Sequence, residues 1–217
     1  ATGQKVLDRA AGEPLEVVYF DFEMTEDDLY DRLQDMGYGP TSDLARFHYY
    51  LLPNLPSLDT PKGGQAIIEI AQHHHADLIV IDTTSRVLDG PENDADTIRA
   101  YYINTGLPLK AAGFTVLRLD HPGKDLAKGQ RGTVAKNDDV DLVWELTAQD
   151  GEAVRLRATK RRQSWIQETV ELLRMESPLR HEHAANTWPQ GTAEVARQLD
   201  ELGVPIDYGR KRVRAEY

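Results

Sequence analysis

Three short apolar runs in this chain each have a carboxylate residue at or next to their end, and stretches with helical periodicity separate them. The runs are EVVYFDF at 16–22, the centre of ADLIVIDTTSR at 76–86, and FTVLRLD at 114–120. Apolar runs of this length, rich in β-branched and aromatic residues, are typical of strands buried on both faces. They predict an α/β fold with a mostly parallel sheet flanked by helices.

The helical stretches between these runs have start and stop signals. MTEDDLYDRLQDMG begins with Thr25 as N-cap, carries acids in its first turn and ends at Gly37. Two further helices are predicted near 63–75 and within 94–112, and RFHYYLLP predicts a short strand before them. This alternation favours parallel strands joined by helical crossovers.

The ends of the predicted strands carry polar groups. In an open parallel sheet, chemistry gathers where the strands end, because their carboxyl ends share one edge. The polar residues at these ends are Asp21, Glu23, Asp82, Asp120 and His121. A single acid in this place is often only the N-cap of the next helix. The coincidence of three such strand ends indicates a functional site.

Asp82 is followed directly by the hydroxyl residues Thr83, Thr84 and Ser85. A buried strand that ends on a carboxylate and continues into hydroxyls is typical of nucleotide hydrolases that hold magnesium beside a triphosphate. Such a strand needs a phosphate-binding loop as its partner, usually G-x-x-x-x-G-K-[ST]. The 217 residues contain no such motif, so the strand supplies only part of a nucleotide site.

The pattern of the chain changes after Asp138. VDLVWELT, EAVRLRATK and WIQETVELLRM are separated by short polar turns, which predicts antiparallel strands that extend the sheet edge. We predict a core over residues 1–176, a linker over 177–191 and a short helical tail over 192–217. The tail contains a capped helix at 192–202 and then the basic segment RKRVR, a pair similar to a helix-turn-helix.

Composition excludes several classes of protein. No apolar run approaches the roughly 20 residues that span a bilayer, and no charged start followed by an apolar segment marks a signal peptide, so we expect a soluble protein. The absence of cysteine excludes disulfides and thiolate metal sites and fits a cytoplasmic protein.

The charge of the chain is unevenly distributed. A net charge of −11 would repel nucleic acid if it were spread evenly. However, RLRATKRR at 155–162 and RKRVR at 210–214 contain no acid. A polyanionic partner would therefore have to meet local basic patches.

Five segments follow one another in an order that resembles a known family. They are VVYFDFEM, ADLIVIDTTSR, VLRLDHPGKD, GQRGTVAKNDDVDLVWEL and RLRATKRR. Together they resemble the RecA-like ATPases, especially the plasmid- and phage-encoded hexameric helicase-like group, over about residues 1–175. The resemblance implies a RecA-type fold that hydrolyses ATP with Mg²⁺ at the subunit interfaces of a homo-oligomeric ring, such as a hexamer, and acts on single-stranded DNA.

The resemblance also implies roles for particular residues. Glu23 is similar to the family's catalytic glutamate, which accepts a proton from the attacking water. Asp82 and Thr83 match the second nucleotide motif, in which the carboxylate holds magnesium through water. His121 falls at the position of a sensor that responds to the γ-phosphate and moves the loop that follows it.

The resemblance further indicates where the phosphate-binding loop belongs. In relatives it precedes a helix that ends in a segment similar to ATGQKVL. We therefore expect that strand and loop upstream of Ala1. We expect the 217 residues alone to bind ATP weakly, because they lack the backbone donors and the lysine that hold phosphates. The alternative is a natural variant that has lost catalysis and keeps the fold for assembly.

The segment PGKDLAKGQRGTVAKNDD places four cations among glycines directly after the sensor position. These cations are Lys124, Lys128, Arg131 and Lys136. Cationic loops of this kind suit the phosphates of single-stranded nucleic acid. Charge alone favours a solvated surface loop, and the resemblance reverses that preference toward nucleic-acid contact, with Arg131 also placed to contact an adjacent subunit.

Lys160 and Arg162 lie at the end of a predicted antiparallel strand with one residue between them. Side chains at that spacing point the same way on a strand. In the replicative helicase core a Lys-x-Arg pair at the equivalent strand end reaches into the neighbouring subunit's site and neutralises charge on the transferred phosphoryl group. Lys and Arg also protect edge strands against aggregation, and that explanation needs no chemistry.

These observations lead to one principal hypothesis and two alternatives. The principal hypothesis is the ATPase core of a helicase-like protein of DNA replication or recombination. The first alternative is a non-catalytic RecA-like module for oligomerisation or DNA binding. The second is a metal-dependent nuclease that uses Glu23, Asp82 and Asp120, which requires the three carboxylates to face one point.

Overall fold

The computed structural model of the protein describes residues 1–7, 10–121, 135–184, 195, 198–199 and 201–204. Within these ranges the strands are β1 (Val17–Asp21), β2 (Phe47–Leu51), β3 (Leu78–Asp82), β4 (Thr115–Leu119), β5 (Leu142–Ala148), β6 (Ala153–Arg161), β7 (Thr169–Glu176) and β8 (Leu179–His183). The α-helices are α1 (Glu26–Asp35), α2 (Pro61–His73), α3 (Ala95–Tyr101), α4 (Leu107–Ala111) and α5 (Ala135–Asp138).

The first four strands form a parallel sheet in the order β2-β1-β3-β4. Strand β1 pairs in parallel with both β2 and β3, and β4 pairs in parallel with β3. The prediction of an α/β fold with a mostly parallel sheet flanked by helices is confirmed. Helical crossovers produce this arrangement because parallel neighbours cannot be joined by a tight turn.

One face of the parallel sheet packs into the hydrophobic core. Val18, Phe20, Ile79 and Ile81, which alternate along the two central strands, are fully buried. They belong to one cluster with residues from the helices, namely Ile67, Ala71, Tyr101 and Leu109. Because side chains alternate across a strand, the residues between them project from the opposite face, where the polar strand ends lie.

Helix α1 begins and ends as its sequence predicts. The Thr25 hydroxyl accepts a hydrogen bond from the Asp28 backbone N–H, and the Asp28 carboxylate accepts one from the Thr25 N–H, which completes a capping box. The helix is followed by Gly37 at a φ of +82°, a left-handed conformation that glycine adopts without a steric penalty. α1 therefore starts at a fixed point close behind Glu23.

The helix predicted within 94–112 contains one π turn, Tyr102–Gly106, between α3 and α4. Pro108 has no N–H to donate to the carbonyl of Asn104 four residues earlier, which explains the widened turn. Helix α2 approaches this carbonyl closely, since a Cβ at Gly64 would lie 1.8 Å from the Asn104 oxygen. Only glycine fits there without a shift of backbone.

The remaining strands form an antiparallel sheet of their own, in the order β5-β6-β7-β8. The strands predicted from VDLVWELT, EAVRLRATK and WIQETVELLRM are present, but among the described residues they pair with one another and not with the edge of the parallel sheet. Alternation of side chains predicts a half-buried strand, but it does not specify the neighbour with which that strand pairs.

The predicted linker over 177–191 begins too early. After a turn at Ser177–Pro178 the chain returns along β7, and residues 179–183 pair with it as β8. This segment has little β propensity of its own, and the open edge of β7 supplies the hydrogen-bonding partners that make it a strand.

Residues 184–217 form a unit separate from residues 1–183. The described residues of the predicted 192–202 helix include helical positions at 195, 198, 199 and 201. The basic segment at 210–214 lies outside the described residues. No helix in the described part of the chain has both the length and the apolar character needed to cross a membrane.

Candidate active site

The carboxyl ends of β1 and β3 meet at one edge of the parallel sheet. Asp21 and Asp82, the last residues of these strands, are direct partners in the strand register. Immediately beyond them, the Phe22 backbone N–H donates to the Asp82 carbonyl oxygen at 2.7 Å. The backbone therefore leaves β1 and β3 side by side, and the residues that follow the two strands lie close together.

Glu23 lies at the centre of this edge. Its Oε1 accepts hydrogen bonds from the Thr83 hydroxyl at 3.2 Å and from Arg86 Nε at 3.4 Å. His121 Nε2, beyond the end of β4, lies 3.2 Å from the same oxygen. The structure thus brings together Glu23, Thr83 and His121, three residues predicted as site residues from separate segments.

Arg86 is a member of this cluster that sequence reasoning missed. It ends a short 3₁₀ turn, Thr84–Arg86, that follows the strand directly. The signal was present in ADLIVIDTTSR, since a tight turn after Asp82 brings the fourth residue back toward the sheet edge. Its side chain is 65% exposed, so the ion pair with Glu23 contributes little to stability.

The environment of Glu23 keeps its carboxylate ionised at neutral pH. Partial burial alone would raise the pKa of Glu23. The hydrogen bonds from His121, Thr83 and Arg86, together with the charge on His121, outweigh that effect and hold the pKa below its usual value. An ionised carboxylate, 29% exposed at the sheet edge, can accept a proton from a water molecule that reaches it.

Two tyrosines hold the carboxylates of the paired strand ends. The Tyr19 hydroxyl donates to Asp82 Oδ2 at 2.6 Å, and the Tyr49 hydroxyl donates to Asp21 Oδ2. Their rings stack with centroids 5.0 Å apart. Burial, followed by the hydrogen bond to its aspartate, raises the pKa of each tyrosine, so both stay protonated as donors.

The oxygen donors around Asp82 fit a magnesium ion held through water. One carboxylate oxygen of Asp82 is used by Tyr19, and within the described residues the other makes no hydrogen bond to a side chain. The hydroxyls of Thr83 and Ser85 lie 3.2 Å apart directly after it. Carboxylate and hydroxyl oxygens are the ligand types that magnesium prefers.

Asp120 does not join Glu23 and Asp82. Its Oδ1 lies 3.4 Å from Lys136 Nζ, and its side chain is 10% exposed. No group of three metal-binding side chains with suitable placement occurs among the residues that the structure describes. The arrangement required by the nuclease hypothesis is therefore not found there.

Lys136 was predicted to contact nucleic acid, and its surroundings do not suit that role. Its residue is 3% exposed, and its ammonium pairs with Asp120 and, at 3.6 Å, with Glu92. A buried lysine is retained where carboxylates compensate its charge, and here two of them do so. The other predicted contacts of this loop, Lys124, Lys128 and Arg131, lie outside the described residues.

Removing the charge of Lys136 should destabilise the fold. Lys136→Met keeps the length of the side chain but leaves the carboxylates of Asp120 and Glu92 without compensation, so we expect a loss of about 3 kcal/mol in the free energy of unfolding. Chemical denaturation measures it. Lys62→Met, at an exposed position of α2, is the control and should change stability by less than about 0.5 kcal/mol. Equal stability of the two variants would contradict the ion-pair assignment.

Lys160 and Arg162 make contacts within their own chain. The Lys160 ammonium donates to the carbonyl oxygens of Asn137 and, at 3.3 Å, Asp138, at the end of α5. Arg162 lies just beyond β6 and pairs with Asp141 at 2.7 Å. Its side chain is 49% exposed. Among the described residues, both cations therefore contact α5 or the segment just after it, and neither contacts Glu23 of the same chain.

Comparison with known proteins identifies the family of the N-terminal part of the chain. Residues 1–127 match a family model described as an AAA domain, and the match includes β1 to β4 and the Glu23 cluster. No curated protein matches the chain.

Proposed function

The chain belongs to the AAA domain family, and from this premise we propose that it forms the water-activating part of a magnesium-dependent ATP hydrolase. We further propose that this hydrolase is a helicase-like motor of DNA replication or recombination. One observation carries the proposal: the Glu23 carboxylate is held at the carboxyl edge of the central strands by a hydroxyl and an imidazole from two other strand ends. That edge is where open α/β sheets bind their ligands.

In this proposal Glu23 is the general base. Its carboxylate accepts the proton of the attacking water, and the donors around it fix the direction in which Oε1 points. His121 touches the same oxygen, so a change at the nucleotide would reach β4 through this contact. Asp82 would hold magnesium through water, and the bound ion would neutralise charge on the phosphate oxygens.

The proposal assigns Lys160 and Arg162 to the site of a neighbouring copy. The two cations do not reach Glu23 of their own chain, and the Arg162–Asp141 pair is half exposed, so exchanging it for another anion costs little. A homo-oligomeric ring would let each copy supply these cations to the next. Single-stranded DNA is the proposed partner, contacted by Lys124, Lys128 and Arg131.

Steady-state ATP hydrolysis by the full-length natural protein tests this function. We expect Mg²⁺-dependent phosphate release that single-stranded DNA stimulates and that EDTA abolishes. DNA without effect on a clear ATPase activity would contradict the motor assignment. Absence of turnover in an assembled protein would contradict the hydrolase assignment.

The alternative function is a non-catalytic module that uses the same fold for assembly or DNA binding. It applies if the protein has no G-x-x-x-x-G-K-[ST] motif anywhere; these 217 residues contain none. A full-length protein that assembles and binds DNA, yet neither binds nor hydrolyses ATP, would support this alternative.

A further inference from the structure

Asp21 is a fully buried carboxylate at the end of β1. It is 0% exposed, and it forms no ion pair with any residue that the structure describes. Burying a carboxylate in this way is costly unless several donors satisfy it. Three donors do so: two backbone N–H groups of the turn after β1, and the Tyr49 hydroxyl from β2.

Two of these donors belong to the turn that presents Glu23. Asp21 Oδ1 accepts the backbone N–H of Glu23 at 2.8 Å and that of Met24 at 2.9 Å. The side chain thus closes a turn directly after β1 and fixes the backbone between the strand and the N-cap of α1. Without this acceptor both N–H groups would lose their partner, and the Glu23 Cα would no longer be held against the sheet.

The third donor fixes the rotation of the Asp21 carboxylate. The Tyr49 hydroxyl occupies Oδ2, which leaves Oδ1 for the two backbone groups. Tyr49 is itself held by stacking on Tyr19, whose hydroxyl is bound to Asp82. Both carboxylate oxygens of Asp21 accept hydrogen bonds from the protein itself. Neither oxygen is therefore left to face a ligand.

We propose that Asp21 and Tyr49 are positioning residues, which hold Glu23 where its carboxylate meets Thr83 and His121. This inference rests on the proposed function for its effect on hydrolysis, but the geometry it invokes can be tested separately. Asp21 acts through the backbone of Glu23, so its hydrogen-bond acceptor matters and its negative charge does not. This distinguishes it from a second base or a magnesium ligand, for which the charge is essential.

The test compares Asp21→Asn with Asp21→Ala in the full-length protein. Asparagine keeps an oxygen for the two N–H groups and can donate to the Tyr49 oxygen, so turnover should stay within a few-fold of the natural protein. Alanine removes the acceptor, and turnover should fall about 10- to 100-fold while the affinity for a non-hydrolysable ATP analogue stays within about two-fold. Equal loss in both variants, or no loss in Asp21→Ala, would overturn the proposal.

Two further variants separate positioning from a general loss of folding. Asp43→Ala removes a similar bond, in which the Ala45 N–H donates to the carboxylate of an exposed aspartate, and it should leave turnover unchanged. Tyr49→Phe keeps the ring but removes the donor, so a smaller loss is expected than for Asp21→Ala. The double variant Asp21→Ala, Tyr49→Phe should be no worse than Asp21→Ala alone, since the hydroxyl acts only through the carboxylate. Additive losses would show that it acts elsewhere.

Amide hydrogen exchange tests the geometry without hydrolysis. The amides of Glu23 and Met24 should exchange faster in Asp21→Ala and remain protected in Asp21→Asn. If the natural protein does not hydrolyse ATP, the proposed function fails while this exchange pattern still supports the positioning role. Unchanged exchange of both amides in Asp21→Ala would overturn that role whatever the activity.

Discussion

Replacing Glu23 by glutamine in the full-length protein should reduce ATP turnover by about 10²- to 10⁴-fold and leave ATP binding intact. Glutamine keeps the shape of the side chain and an oxygen that accepts hydrogen bonds from Thr83 and Arg86. It removes the ionised carboxylate, which is the group that would take the proton from water. Phosphate release and equilibrium binding of a non-hydrolysable analogue measure the two effects separately.

A matched control is available three residues along the chain. Glu26 is an exposed acid in the first turn of α1, so Glu26→Gln changes the same chemical group without touching the cluster. We expect it to hydrolyse ATP at the rate of the natural protein. If Glu23→Gln behaved like this control, Glu23 would be only a surface ion-pair partner of Arg86 and His121.

Removing Lys160 and Arg162 together should reduce turnover by about 10³-fold, as expected for cations that neutralise a transferred phosphoryl group. ATP binding should persist, because these residues do not line the Glu23 site of their own chain. Assembly should also persist, since Asp141 keeps a partner in Lys110 at 3.4 Å after Arg162 is lost. Turnover, analogue binding and light scattering of the Lys160→Ala, Arg162→Ala variant check the three expectations.

The control for this variant lies on the same strand. Arg155 belongs to β6 and forms an ion pair with Glu171 at 2.6 Å, and its side chain is 45% exposed. Arg155→Ala should leave turnover close to that of the natural protein. Normal turnover in the Lys160→Ala, Arg162→Ala variant would contradict a role in hydrolysis. The two cations would then have only the structural role of contacting α5 and Asp141.

The sequence predicts the edge of the site because that edge depends on local patterns. Apolar runs that end on acids identify the strands, and parallel strands share one carboxyl edge, which predicts that Glu23, Asp82 and His121 lie at that edge. The capping residues of α1 are equally local. These features need no knowledge of which residues face each other across the sheet.

The tyrosine–aspartate pairs could not be predicted in this way. Alternation places Tyr19 and Asp21 on one face of β1, but the partners of their side chains depend on the register with β2 and β3. Register is set by the packing of the whole sheet. Asp21 was therefore expected only as one polar strand end among several.

Lys136 was misassigned for a related reason. A lysine in a glycine-rich basic segment is normally solvated, and its burial here depends on Asp120 and Glu92, which precede the segment in the chain. The antiparallel strands show the same limit, since their alternation was visible but their grouping into a separate sheet was not. The burial of Lys136 and the grouping of the antiparallel strands both depend on contacts between residues distant in the sequence.

The most direct test of a composite ATPase site mixes the two inactive variants of the full-length protein. Glu23→Gln retains the cations, and Lys160→Ala, Arg162→Ala retains the base, so an interface between them can contain both. In rings that mix at random in equal amounts, about one quarter of the interfaces would combine an intact Glu23 with intact cations. We predict that ATPase activity rises from background to a maximum at intermediate mixing ratios. A flat, inactive titration between variants that demonstrably co-assemble would contradict hydrolysis at a site shared by two copies.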